Sequence, residues 1–279
     1  MFLSISRMAK NLAGIPANEI VAILLCLISG FLSQPSHAGG CSPLQIGLWP
    51  GAQLVPKEQT VCGLRLDLPL GDNDNVWGID IGVGGRAKTL KGIQIGFFGV
   101  LDGSEESQSL GIQIAWATMI NKGSFAGVQA GYLGNRNEGV SFSGLQIAGL
   151  VNTNNGANYK GVQLAGLGNV GKDVYGIQLG GILVNGLEKL YGIQIGGMLN
   201  RAERIMNGVQ IGVIHNRAEI IMNGVQIGVT NYSEQARGLQ MGVVNVCKYL
   251  KGVQIGIVNV VTSRYPDSIY FSPIMNVGF

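Results

Sequence analysis

The chain has 279 residues, of which 46% are hydrophobic and 13% charged, with 45 glycines and a formal net charge of +3. Charge at about half the usual share, combined with that much apolar content, excludes a solvated disordered chain. Lys and Arg are scattered through turns rather than clustered, which predicts no polyanion partner and no nucleic-acid module.

The N-terminus reads as an address. Arg7 and Lys10 precede an apolar run from Ile20 to Leu32, and Ser36-His37-Ala38 supplies a small-x-small cleavage site. This pattern predicts a secretory signal peptide over residues 1–38, cut after Ala38. The run is short for a membrane-spanning helix. Residues 39–279 then form a single β repeat domain with one strand per repeat. Three cysteines remain: Cys41, Cys62 and Cys247. In an oxidising compartment Cys41 and Cys62 are placed to bridge the first loop, leaving Cys247 odd. The alternative is that all three serve as small hydrophobes.

The repeat begins in degenerate form at Gln45 (PLQIG), Arg65 (CGLRL) and Asp80 (WGIDIG). Between them lies GDNDN at 71–75, where Asp72 and Asp74 offer oxygens of the kind calcium takes. The rest of a calcium loop is absent, and no metal is expected. GVGG at 82–85 lacks the Lys and the helix of a phosphate loop, and GSEES at 103–107 is an acidic turn. From there the copies sharpen around Gln94, Gln113, Gln129, Gln146, Gln163, Gln178, Gln194, Gln210, Gln226, Gln240 and Gln254, spaced 14 to 19 residues apart. No linker splits the array.

Within the last copy Val253, Ile255 and Ile257 alternate with Gly252, Gln254 and Gly256. Period two with Val and Ile enrichment predicts strands, and Asn154-Asn155-Gly156 and Asn185-Gly186 are turn formers. The class is all-β. The first expectation is an antiparallel meander closed into a barrel of about 14–16 strands. The strand is nearly palindromic about Ile255, so folding the preceding copy back would set Val243 against Val253 and Met241 against Ile255. The alternative is a parallel β-solenoid with 14–17 residues per coil and stacked amide ladders.

In a barrel, the eleven residues Leu250–Val260 suffice to cross a bilayer, and the glutamines from Gln94 to Gln254 line the interior as an uncharged polar belt. Their other reading is hydrogen bonding to one another across strands. The apolar band is thin, with three aliphatics per strand. The chain closes with Phe271, Met275, Val277 and Phe279 at alternate places. This resembles the C-terminal assembly signal of outer-membrane barrels, from which Pro273 departs. An ordinary edge strand is the alternative. Outer-membrane lipid and the barrel-assembly machinery would be the partners of a barrel.

The run of G-[VIL]-Q-[IL]-[GA]-x-x-N copies over about residues 44–279 resembles a family of bacterial surface-repeat proteins, the leptospiral type and its relatives in other double-membraned bacteria. The resemblance implies export and location in the outer membrane or at the cell surface, with the periplasm as the alternative; it implies no activity. The first third, with Arg65 and Asp80 in place of the amide, matches least well.

No catalytic constellation is visible. His215 is the one histidine after the signal segment, and no nucleophile, base and orienting group recur together. The expectation is a protein that is not an enzyme and takes no cofactor. Its expected role is an outer-envelope barrel with a structural or weakly selective permeation function. The alternative is a soluble or surface-attached solenoid that acts as a binding or structural repeat protein.

Overall fold

Each repeat folds as two short strands joined by a bend, and each lies on the one before it in register. In the copy around Gln210, the strand Ile205–Gly212 bends at Val213 and Ile214, and the strand beginning at His215 continues the coil. The computed structural model describes residues 40–104, 106–263 and 268–279. The segment 1–38 and the cleavage point after Ala38 lie outside the described residues. Among the described residues there is no helix, and the chain is a parallel β-solenoid of about 13 turns.

The expected antiparallel barrel is therefore corrected. Gln240 pairs with Gln254, Leu239 with Val253 and Met241 with Ile255, all in parallel register. The palindromic strand makes either direction acceptable to its aliphatics. What separates the two is the amide: antiparallel pairing sets each glutamine against a glycine, whereas parallel in-register stacking sets glutamine on glutamine. A buried amide without a partner costs roughly 1–3 kcal/mol, and the repeat carries that term in every turn.

Glycine opens each repeat for a steric reason. Gly176 has φ +144°, and a Cβ there would lie 2.0 Å from the carbonyl oxygen of Gly161 one turn below. Glycines in the same place from Gly78 to Gly252 share this positive φ. Only glycine populates that region without strain.

The apolar part of the core is a column of one side chain per turn: Phe125, Phe142, Tyr159, Val174, Leu190, Met206, Met222 and Ala236, each in register with the next and buried. Ala202, Ala218 and Cys247, from the second strand of their coils, belong to the same cluster. Phe125, Phe142 and Tyr159 stack with ring centroids 5.4 and 5.3 Å apart, and the single proton of the Tyr159 hydroxyl lies between the Gly144 and Val162 carbonyl oxygens, 2.9 and 2.6 Å from its oxygen.

Both ends leave the parallel pattern. At the start, Cys41 and Cys62 are joined in a disulfide, and Gly47 pairs antiparallel with Gln53. At the finish, Ser268–Gly278 runs antiparallel to Val244–Ser263, setting Phe271 against Val260, Met275 against Ile255 and Val277 against Val253. These residues, and Phe279 beyond them, close no barrel; the strand caps the last coil. Pro273 sits where the register shifts, beside Ile274 at φ 72°. The missing N–H of proline costs least at such an irregularity.

Candidate binding face and its amide core

The repeated glutamines point inward. Gln94 and every ladder glutamine after it are at most 1% exposed, and each one after Gln94 donates from Nε2 to Oε1 of the glutamine one turn below. The distance is 2.7 Å for Gln113 to Gln94, 2.8 Å for Gln129 to Gln113 and for Gln210 to Gln194, and 2.8 Å for Gln254 to Gln240. Gln146, Gln163, Gln178, Gln194, Gln226 and Gln240 continue the chain at 2.6–2.9 Å. The belt expected to line a barrel lumen is thus a dry, self-satisfied ladder. Any small-solute passage along it is closed by the side chains themselves.

A second ladder of asparagines lies across the coil. Asn200 donates to Asn216, Asn216 to Asn231, Asn231 to Asn245 and Asn245 to Asn259, all at 2.8–2.9 Å. Each also reaches a backbone carbonyl, as Asn216 does to Ile227 at 2.7 Å. The column is interrupted at Val184, which stands between Asn169 and Asn200. As the first rungs after a non-amide neighbour, Asn135 and Asn200 keep an Oδ1 without a partner.

The glutamine column rests on buried charge. Gln94 donates to Asp80 at 2.7 Å, and Arg65 grips Asp80 through Nε at 2.9 Å and a terminal nitrogen at 2.5 Å. Asp67 also lies 3.1 Å from Arg65. One guanidinium faces two carboxylates, and Asp80 takes the bidentate grip. Burial, opposed by Arg65 and reinforced by the neighbouring Asp80, pushes the Asp67 carboxyl up to about 8. The sequence departures at Arg65 and Asp80 are thereby an ion pair that terminates the ladder.

The remaining residues singled out in the sequence are structural. Asp72 and Asp74 pair with Lys57 at 2.8 Å and Lys88 at 2.9 Å, and no metal-binding group of His, Cys, Asp or Glu occurs among the described residues. His215 contacts the Thr230 hydroxyl at 2.7 Å; burial and Arg217 lower its pKa. Cys247 is a buried free thiol, pushed up to about 12 by desolvation.

With the amides inside, the aliphatics of the same strands face out. In each turn, the residues just before, just after and three after the ladder position lie on one outer face. From Gln45 to Gln254 those three places hold only aliphatic, aromatic, methionine, alanine or glycine residues. Ile81, Ile95, Ile114, Ile147, Ile195, Ile211, Ile227 and Ile255 are each about two-fifths exposed, and Val213 and Ile257 are 68% and 69% exposed. Near the C-terminal end this face forms an open groove of about 710 Å³ between Ile211, Val213, Ile227, Val229, Ile255 and Ile274. Charges lie outside these three columns: Glu219 pairs with Arg201 and Arg217, and Glu188 with Lys172 and Arg204.

In this solenoid Ile255 and Ile257 are exposed and Val253 is half-buried, so the aliphatics of the last copy lie outside the amide core. The physical reason is that an amide recurring in turn after turn is satisfied in the dry interior by stacking on itself. Comparison with protein-family models, curated proteins and solved structures yields no match.

Proposed function

We propose that this protein is a non-catalytic structural and binding repeat protein of the bacterial envelope, engaging an apolar surface through its long aliphatic face. The observation that carries the reading is that face. Contiguous exposed apolar surface beyond a few hundred Å² marks an interaction site in a folded protein, and here it runs through turn after turn without a charged residue. The signal-like segment ending at Ala38 and the resemblance to surface-repeat proteins support export, which sequencing the N-terminus of the mature protein tests: the first residue should be Gly39.

The binding role is tested by replacing Ile211 and Ile227 with lysine in the expressed full-length chain. Retained β signal by circular dichroism with loss of envelope association supports the reading. Unchanged envelope association would remove it.

A further inference from the structure

The aliphatic face is not uniform along its length. In the column three residues after the ladder position, Phe97, Trp116 and Tyr132 form a ridge. Their rings stack at centroid separations of 5.0 and 5.7 Å, and Trp116 and Tyr132 are 60% and 62% exposed. In the next three turns the same column holds Gly149, Gly166 and Gly181, all exposed. There the surface sinks into a depression of about 470 Å³ bordered by Leu164, Leu179 and Ile195. Gly197 continues the column in the following turn, so a ridge of three rings adjoins a trough of four glycines.

We propose that a second copy of this chain covers the face, in an antiparallel face-to-face homodimer. The proposal rests on the reading that this face is a binding surface and names its occupant. A two-fold axis lying along the strand direction, between the turns of Tyr132 and Gly149, keeps each column over itself and reverses the order of turns. It sets Tyr132 over Gly149, Trp116 over Gly166 and Phe97 over Gly181, and by symmetry each contact occurs twice. Such self-complementarity is what an isologous interface requires. The size agrees as well. About 13 turns at ~4.8 Å and three alternate columns at ~7 Å spacing give a face of roughly 60 by 15 Å. That is on the order of 900 Å² per copy, against about 800 Å² per partner in a stable complex. Exposed aromatics seated in a partner's depression are the usual energetic centre of an interface.

The test uses the mature chain in detergent-free buffer at micromolar concentration. Sedimentation should show a dimer, and replacing Trp116 and Tyr132 with alanine should weaken it by about 30-fold or more per ring. The arrangement is read by cross-linking, because the native free cysteine, Cys247, is buried. Facing sheets stack ~10 Å apart, so a bismaleimide of that reach should give a covalent dimer from Ile114→Cys combined with Leu164→Cys. It should give none from Ile114→Cys combined with Ile255→Cys. A dimer linked by the second pair, with or without the first, overturns this antiparallel register. A monomer overturns the proposal. If that monomer floats with phosphatidylethanolamine–phosphatidylglycerol vesicles, the binding-face reading survives with lipid as the occupant; if it binds neither vesicles nor envelope, both readings fall.

Discussion

Gln94 donates from Nε2 to a carboxylate oxygen of Asp80 at 2.7 Å, and this contact sets the direction of every amide above it. A carboxylate can only accept, so the Gln94 carbonyl must face the next turn, where Gln113 donates to it. The same choice propagates to Gln254, whose Oε1 accepts from Asn276 in the capping strand. The asparagine column runs the other way, Asn231 donating up to Asn245 and Asn245 to Asn259. Two antiparallel rows of aligned amide dipoles therefore share one core, and their fields oppose.

Breaking one rung should be costly in mid-column. Gln163→Leu strands the Gln178 donor and removes the donor to Gln146, a loss of about 2–4 kcal/mol. Asn276→Leu, at the partly buried end, should cost about 1 kcal/mol or less. Urea denaturation midpoints compare the two, and equal costs would argue against the ladder.

Backbone crowding should make Gly176→Ala more damaging than a loss of helix or strand propensity could explain. The methyl would meet the Gly161 oxygen at 2.0 Å with φ at +144°, so both turns must shift. The expected cost is about 3 kcal/mol or more, measured by chemical denaturation with circular dichroism. A neutral result would mean that the coils are not packed this closely.

Charge should be tolerated on the outside and not within. Ile211→Lys, at a residue 38% exposed, should change stability by less than about 1 kcal/mol. Met206→Lys, five residues earlier and fully buried, should abolish folding of the adjoining turns by placing an unpaired charge in the core. If Ile211→Lys unfolds the chain in detergent-free buffer, the aliphatic face is part of the folding core.

Stability should fall as pH rises toward the alkaline range. Asp67 keeps its proton in the folded state up to about 8, but in the unfolded chain only below about 4. The folded state holds the extra proton across that window, so the contribution is full below about pH 4 and is lost as pH rises through 8. Asp67→Asn, which keeps the shape of the neutral acid, should flatten this slope in urea melts taken from about pH 5 to about pH 9. A slope identical to that of the parent chain would assign the effect to another group.

Much of the fold is legible in short stretches. Alternation of Val253, Ile255 and Ile257 with Gly252, Gln254 and Gly256 announces strands; the recurring glutamine announces coils or staves of one length; Gly at the head of each copy announces a backbone that no Cβ can enter. The candidate face was written there too, in three positions per repeat that never carry a charge. Its exposure was not legible. Aliphatic columns ordinarily mark a core, and only the amide that separates them shows otherwise. The ridge of Phe97, Trp116 and Tyr132 was equally hidden, because these rings are 16 to 19 residues apart in sequence and meet only through the coil.

The amino-acid sequence by itself determined the class, the period and the two-sidedness of each strand, since period-two alternation puts Gln210 and Ile211 on opposite faces whatever the strand pairs with. The tertiary structure alone decided the direction of pairing and which face turns inward. Those depend on contacts between residues a full turn apart: parallel register gives each buried amide a partner above and below, antiparallel register gives it a glycine, and the unpaired amide is the more expensive of the two to bury.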